Sequence, residues 1–161
     1  MSVTTQITPP QHSGQKLVFA DLHIHGKYSR ATSENMDIAS IVHYAEIKGL
    51  NLLGTGDFTH PQWRKELHDA LIEAPDAQLY VSRAKPHIHF MVTTEVCTVF
   101  EYKGKTRKIH HLILCPSLEV ADQISNRFSN FGELDYDGRP TLDLSAPELV
   151  ELVMELSEDN A

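Results

Sequence analysis

The chain has 161 residues, of which 41% are apolar and 22% charged, so its length and composition are those of one folded domain and exclude wholesale disorder. Its formal net charge of −8 argues against a broad basic surface for nucleic acid, although bound divalent cations would offset part of that charge locally. Two cysteines, Cys97 and Cys115, lie outside any CxxC pair, and no run of about 18 apolar residues occurs, which excludes a disulfide framework and a membrane span and favours a reducing cytoplasm.

The first part of the chain predicts a strand, a helix and a second strand. Residues 1–16 are polar and lack the apolar core of a secretory signal, so we interpret them as a flexible leader. Residues 17–22 form a short apolar run that predicts a buried strand. Apolar residues recur at helical spacing over 37–48, Gly49 follows as a helix C-cap, and 50–55 predict a second buried strand. This order is typical of a parallel sheet in an α/β fold.

The rest of the chain predicts a hairpin between helices. In chain order the predicted elements are a helix that begins at Pro61, a loop over 74–86, one long strand or two short ones over 87–102, a tight turn at 103–105, a returning strand over 106–114, a helix over 116–128, a loop over 129–140 and a helix over 145–157. Ser145 and Glu148 predict a capping box at the start of the last helix.

The stretch "FADLHIH" places ligand-type side chains at the end of the first predicted strand. Asp21, His23 and His25 alternate with apolar residues, so in an extended chain they project to one side. Burying three such groups without partners is costly, whereas one bound cation compensates all of them. The spacing therefore predicts a metal site.

Further ligand-type residues follow the later strands. Asp57 and His60 come directly after the second predicted strand, and ligands in parallel α/β proteins gather at the carboxyl ends of strands. Glu95 lies in the third strand region, and His110 and His111 lie in the returning strand. Carboxylates bridge cations and imidazoles favour zinc or manganese, so this set predicts a multinuclear hydrolytic site. The pair His87 and His89 precedes its strand, so we do not expect it to bind metal.

These segments together resemble the PHP (polymerase and histidinol phosphatase) superfamily. "DLHIH" with Ser29 is similar to its first motif, "GDFTH" to its second, and "TEV" with "IHHLIL" to its third. The wording "DLHIHGKYSRATSENM", "KGLNLLGTGDFTHPQW" and "TTEV" is most similar to the endonuclease Q-like group. The resemblance covers roughly residues 17–118. It implies an α/β fold of the distorted (β/α)7 barrel type, here a partial barrel, and two or three divalent metal ions (Zn, Mn or Mg).

The resemblance also implies a ligand set. His23 and His25 would hold one metal ion and Glu95 would bridge it to a second. His60 would complete a neighbouring position, and Asp57 would act either as a ligand or as a residue that orients one. We expect Asp57, His60 and Glu95 to be the catalytic residues.

A further ligand is expected in the returning strand. His111 is preferred because the family's ligand immediately precedes the apolar run, with His110 as the alternate; in a regular strand the two cannot face the same way.

Five residues are candidates for substrate contact. Tyr28, Ser29 and Arg30 lie in the loop beside the first motif, where binding residues are common. Lys105 and Arg107 belong to a small basic hairpin tip that would contact phosphates if the substrate is a nucleic acid.

The end of the chain departs from the family pattern. PHP domains carry further ligands in their last third, whereas no histidine follows His111. We therefore interpret residues 17–161 as the N-terminal part of a PHP metal-dependent phosphoesterase domain, truncated at its C-terminus and weakly active or inactive by itself.

The predicted function is metal-dependent hydrolysis of phosphate esters. The leading interpretation is a DNA-repair endonuclease that cleaves the backbone near deaminated bases, with DNA as its partner and the cytoplasm as its location. The alternatives are a small-molecule phosphatase of the histidinol phosphatase type and a noncatalytic PHP scaffold. The sequence does not determine the oligomeric state.

Overall fold

The computed structural model describes residues 17–75 and 78–158, so the predicted leader over 1–16 lies outside the described part. The strands are β1 (Ala20–Asp21), β2 (Leu52–Gly54), β3 (Leu71–Glu73), β4 (Tyr80–Ser82), β5 (His89–Tyr102), β6 (Lys105–Cys115) and β7 (Thr141–Leu142). The helices are α1 (Ile38–Lys48), α2 (Pro61–Ala70), α3 (Leu118–Phe128) and α4 (Ala146–Glu158).

The predicted parallel unit is present at one edge of the sheet. β1 pairs in parallel with β2, and β2 pairs in parallel with the start of β5, with Leu53 opposite Phe90. Helix α1 connects β1 to β2, because parallel neighbours need a crossover connection. The α/β fold class is confirmed. Within the described residues the strand order is β1-β2-β5-β4-β3, so the sheet is open and does not close into a barrel.

The long strand β5 joins two parts of the sheet. Its first residues lie between β2 and β4, and from Val92 onward it pairs with β6 as an antiparallel hairpin. Tyr102 lies opposite Lys105, so the turn has two residues, Lys103 and Gly104, both with positive φ. That turn fixes the register of the whole hairpin. β7 pairs with β5 in parallel beside Cys97.

The helix ends carry capping residues, and those at Gly49 and at Ser145 with Glu148 were predicted. Asp37 accepts the backbone N–H of Ser40 at the start of α1, and Gly49 ends that helix with a φ of 71°. Ser117 caps α3 in the same way. Ser145 and Glu148 form the predicted capping box of α4, since the Glu148 carboxylate accepts the Ser145 N–H at 2.8 Å. Such caps satisfy donors that the first helical turn leaves unpaired.

The apolar core lies between the sheet and the helices. Trp63 and Leu67 on α2, Val42 on α1 and Phe128 on α3 are fully or almost fully buried, together with Phe90 of β5. Their spacing on each helix presents one apolar side to the sheet, as the periodicity predicts. No helix of the described residues is both long and apolar enough to span a bilayer.

Two sequence predictions about the strands are wrong. Leu17 and Phe19 are exposed, at 73% and 56%, so the apolar run over 17–22 does not form a buried strand. The reason is topological, because β1 is the edge strand of the described sheet. The predicted loop over 74–86 also contains β4, and β3 begins at Leu71, directly after α2; three-residue strands are too short to give a periodic signal.

Candidate metal centre

The carboxyl ends of β1 and β2 bring two ligand-bearing segments together. His23 and His25 follow β1, and Asp57 follows β2. Gly56 allows this close approach: it has a φ of +64°, and a Cβ there would lie 2.3 Å from the Ile24 carbonyl oxygen. A side chain at that position would push the His25 segment away from Asp57.

Three side chains converge beyond these strand ends. His23 Nε2 lies 2.7 Å from Glu95 Oε2, and His25 Nε2 lies 3.2 Å from the same oxygen. One ligand atom from each residue lies within 4.8 Å of the other two, a separation that a single metal ion could span. Glu95 is 7% exposed, whereas the His23 side chain is about half exposed, so the cluster opens to solvent on one side. Asp21 was expected to join these residues but does not, because its carboxylate accepts the backbone N–H of His23.

Asp57 holds His25 in place and is fully buried. Its Oδ1 lies 2.9 Å from His25 Nδ1, and its Oδ2 accepts hydrogen bonds from the Gly26 N–H and the Ser29 hydroxyl, each at 2.7 Å. A histidine that donates its Nδ1–H to a carboxylate presents the Nε2 lone pair, which is the usual arrangement of a metal-binding imidazole. Both oxygens of Asp57 are engaged, so of its two predicted roles the contacts favour the orienting one.

The electrostatics of the cluster come from these contacts. The hydrogen bond to Asp57 raises the pKa of His25, and burial and the positive charge of Arg139 oppose that rise. Burial by itself would raise the pKa of Glu95, but hydrogen bonds from His23 and His110 outweigh it and hold that pKa below its usual value. Glu95 is therefore a carboxylate at neutral pH and an available anionic ligand.

The structure corrects the predicted choice between the two adjacent histidines. Glu95 lies opposite Leu112 in the hairpin, which places His110 diagonally across on the same face and His111 on the other face. His110 Nδ1 lies 2.5 Å from Glu95 Oε1, whereas His111 Nε2 lies 2.9 Å from the Thr98 hydroxyl. His110, and not His111, is the residue that contacts the cluster.

His60 lies next to Asp57, whose carbonyl oxygen accepts its backbone N–H, but its ligand atoms are not among those that converge. Its ring is buried and stacks on Tyr28 with centroids 4.4 Å apart. Nε2 lies 3.2 Å from the Asp135 carbonyl oxygen, and the buried Nδ1 has no hydrogen-bond partner in the described part of the chain. Burial lowers the pKa of His60, so the ring is neutral and an Nε2–H donated to Asp135 leaves a lone pair on Nδ1.

The loop before β7 packs on the site, which the sequence did not predict. A Cβ on Gly138 would lie 2.3 Å from the Ser29 hydroxyl oxygen and 2.5 Å from Asp57 Oδ2. The Gly138 N–H donates to the Tyr28 carbonyl oxygen, and Asp135 contacts His60 as described above. The Gly and Asp content of 129–140 indicated a loop, but nothing in its composition indicated which surface that loop covers.

The first-loop candidates for substrate contact have different surroundings. Ser29 is buried and its hydroxyl donates a hydrogen bond to Asp57, so in this structure it helps to position Asp57. The Tyr28 hydroxyl donates to Glu66, whose carboxylate also pairs with Lys27. Arg30 is exposed, and its guanidinium lies 4.2 Å from the centroid of the Tyr136 ring.

The two hairpin candidates lie apart from the cluster. Lys105 is five residues from His110 along β6, which corresponds to about 17 Å in an extended strand. Alternation along the strand places Lys105 and Arg107 on the face opposite to His110, and Lys108 on the same face as His110. The structure therefore does not bring Lys105 and Arg107 to the cluster.

The donor set fits a divalent transition metal ion. Two imidazole nitrogens and one carboxylate oxygen are typical ligands of zinc and manganese, and the Asp57 contact to His25 is the outer contact that such ligands usually have. Calcium and magnesium favour sites built from oxygen atoms, so this donor set favours them less.

The chain was compared with protein families and with known proteins. No protein-family model matches the chain. An uncharacterized protein of Methanocaldococcus jannaschii is 33% identical over 137 residues, which are 84% of this chain and 15% of that protein. Its length exceeds the matched part several-fold, so the chain corresponds to a small part of that relative.

Two solved structures are similar in both sequence and fold. One is the lesion-specific endonuclease PfuEndoQ of Pyrococcus furiosus, with a TM-score of 0.73 and 34% identity over 87% of this chain and 32% of that one. The other is endonuclease Q in complex with a 27-mer duplex that carries an abasic lesion at the active site, with a TM-score of 0.74 and 35% identity over 87% of this chain and 33% of that one. The chain thus matches about one third of an endonuclease Q chain in sequence and fold, which confirms the predicted resemblance to that group.

Proposed function

We propose that this chain contributes a metal site to a metal-dependent phosphoesterase, and that the whole protein is a DNA-repair endonuclease that cleaves the phosphodiester backbone near deaminated bases. One observation carries the proposal: the His23, His25 and Glu95 ligand atoms converge within 4.8 Å in a chain that is similar to endonuclease Q over 87% of its length. An endonuclease Q has been crystallised with a lesion-containing duplex, which supports DNA as the substrate here.

The contacts support a role for each of these residues. His23, His25 and Glu95 would hold the first of two or three divalent ions, with zinc or manganese favoured by the donor set. Such ions lower the pKa of a bound water and stabilise the leaving oxygen of a phosphodiester. Asp57 orients His25 through Nδ1, and the buried Asp57 carboxylate is itself positioned by Gly26 and Ser29.

His60 lies next to Asp57 and His110 contacts Glu95, so both are close to residues of the proposed metal centre. Neutral His60 has a buried Nδ1 lone pair without a hydrogen-bond partner among the described residues, and a second ion or a substrate proton would give it one. His110 contacts the Glu95 oxygen that faces away from His23. We assign to His110 the role proposed for His111 from the sequence.

Metal content tests the ligand assignment directly. We expect the chain, purified and reloaded with zinc or manganese, to bind metal stoichiometrically, and we expect His23→Ala and Glu95→Ala to lower the affinity by at least about 10-fold, because each removes a ligand. His89→Ala is the matched control, since His89 lies in the same sheet but outside the cluster. Equal metal loss in all three variants would contradict the assignment, and a folded chain without metal would favour the scaffold alternative.

A nicking assay tests the reaction and the substrate. We expect the whole protein to nick a duplex that contains uracil or hypoxanthine, and expect the activity to fall steeply as salt rises, because phosphate contacts release counterions. Chelation should abolish nicking and added metal should restore it. Rapid turnover of a small phosphomonoester without any nicking would refute the endonuclease and favour the phosphatase alternative.

A further inference from the structure

A groove lies next to the proposed metal centre and is lined by two arginines and an exposed tyrosine. It has a volume of about 340 Å³, and Arg30, Tyr136, Asp137, Arg139 and Thr141 are among its lining residues. It is formed by the loop after the first motif and the loop before β7, which the hydrogen bond from the Arg30 N–H to Asp137 Oδ1 joins. None of these residues is one of the three cluster ligands, although the charge of Arg139 acts on His25.

The aromatic wall of the groove is available for stacking. Tyr136 is 68% exposed, and the Arg30 guanidinium lies 4.2 Å from its ring centroid. A tyrosine in this position contributes little to the core. The guanidinium covers one face of its ring, so a base would stack on the opposite face of the ring or on the outer side of the guanidinium. Nucleobases stack on aromatic rings and on guanidinium planes whatever their sequence, because every base has a π-face.

The two guanidinium groups lie at long ion-pair distance from one carboxylate, that of Asp137. Arg139 Nη2 donates to the Arg30 carbonyl oxygen at 3.2 Å, and the buried Arg139 Nε has no hydrogen-bond partner among the described residues. Asp137 accepts the backbone N–H groups of Arg30 and Arg139 at 3.2 Å each, while its carboxylate stays 3.8 and 3.9 Å from their side chains. Both side chains are partly exposed and keep donors for a phosphate.

The groove adjoins the metal centre. Gly138, between Asp137 and Arg139, packs directly on Asp57 and Ser29. Thr141 at the other side of the groove lies opposite Cys97, two residues along β5 from Glu95, which corresponds to about 7 Å. A few nucleotides of a stacked strand, at roughly 3.4 Å each, cover such a distance.

We propose that this groove binds one nucleotide of a single DNA strand next to the cleaved bond, with the base stacked on an outer face of the Tyr136–Arg30 pair and a phosphate held by the Arg30 and Arg139 guanidinium groups. This inference rests on the proposed function, since it names how the same site would hold its substrate. Asp137 and Glu133 also line the groove and offset its positive charge. Stacking therefore supplies a large share of the binding, and an unpaired base is favoured over intact duplex.

Binding of a short, fluorescein-labelled single-stranded oligonucleotide, measured by fluorescence anisotropy in EDTA, tests the groove independently of the metal ions. Tyr136→Ala is expected to raise the Kd by about 5- to 150-fold, the range that corresponds to losing one base stack of about 1–3 kcal/mol. Tyr136→Phe keeps the ring and is expected to stay within about twofold of the wild type. Tyr136 is exposed, so its variants are expected to fold, which circular dichroism checks.

Tyr44→Ala is the matched control, because Tyr44 is also more than half exposed but lies on α1. It is expected to leave the Kd unchanged. Arg30→Ala is expected to lower the salt slope of binding by about 0.7, the value for one phosphate contact to a single strand. Adenosine monophosphate is expected to compete with the oligonucleotide better than inorganic phosphate does, since it brings a base to the stack.

Several results would overturn the inference. They are an unchanged Kd for Tyr136→Ala, an equal loss for Tyr136→Phe or for Tyr44→Ala, competition by inorganic phosphate as strong as by the nucleotide, or no oligonucleotide binding by the wild-type chain. Because the assay contains no metal, a wild-type chain that binds oligonucleotide but fails to load metal would count against the metal site and not against the groove.

Discussion

Replacing Asp57 by asparagine should separate the orientation of His25 from the integrity of the fold. Asp57 Oδ2 accepts two donors, from Gly26 and Ser29, and Oδ1 meets His25 Nδ1. Asparagine keeps one oxygen, and that oxygen is expected to stay with the two donors, because the Gly26 N–H cannot rotate away. The amide NH2 then faces His25 and makes Nδ1 an acceptor, which moves the ring proton to Nε2 and blocks its lone pair.

The expected magnitudes follow from these contacts. The variant exchanges a hydrogen bond between an imidazole and a buried carboxylate for a weaker one between an imidazole and a neutral amide. This costs about 1–2 kcal/mol of the free energy of unfolding and leaves a domain of ordinary stability folded. The affinity for zinc or manganese is expected to fall by about 10- to 100-fold, as is usual when the partner of a metal-binding histidine is lost. Isothermal titration calorimetry gives the affinity and urea unfolding gives the stability.

Ser29→Ala is the matched control for this experiment. It removes one hydrogen bond to Asp57 Oδ2 and leaves the His25 contact on Oδ1 intact. We expect a comparable loss of stability with little change in metal affinity. A folded Asp57→Asn chain that binds metal as tightly as the wild type would refute the claim that Asp57 orients His25, and equal metal loss in both variants would show only a general loosening of the site.

Three further predictions concern other parts of the chain. His110→Ala is expected to lower the metal affinity measured by calorimetry by about 10-fold, because His110 contacts Glu95. His111→Ala is expected to leave that affinity unchanged, because His111 contacts Thr98. The reverse order would restore the assignment made from the sequence. Gly138→Ala is expected to lower the free energy of unfolding in urea by about 1–3 kcal/mol and to weaken metal binding, because its Cβ would overlap Asp57. Gly49→Ala strains the backbone where α1 ends, away from the site, and is expected to lower stability but not metal affinity. Equal metal affinity in the two variants would contradict the close packing of Gly138. Burial raises the pKa of the Cys115 thiol to about 11, so the native protein near pH 8.5 is expected to react slowly with iodoacetamide at Cys115 and rapidly once urea unfolds it; equal rates would refute the burial.

The sequence by itself determined the helices, the long hairpin and the identity of the ligand-type residues, but not the short strands β3 and β4. Gly49 ends α1, and Ser145 and Glu148 start α4, because a cap acts on backbone groups only a few residues away. The order of strand, helix and strand predicted the parallel sheet, and the positions of His23, His25 and Asp57 after strand ends predicted that they would meet.

The tertiary structure decided what depends on register and on distant segments. The choice between His110 and His111 follows from the two-residue turn at the hairpin tip, since a shift of one residue would exchange the two faces. The motif allowed Asp57 to be either a metal ligand or a residue that orients one. Its contacts with His25, Gly26 and Ser29 in the structure favour the orienting role. Gly138 packs on Asp57, which lies 81 positions earlier in the chain. The composition of a loop does not indicate which distant surface the loop covers, so this contact could not be predicted from the sequence.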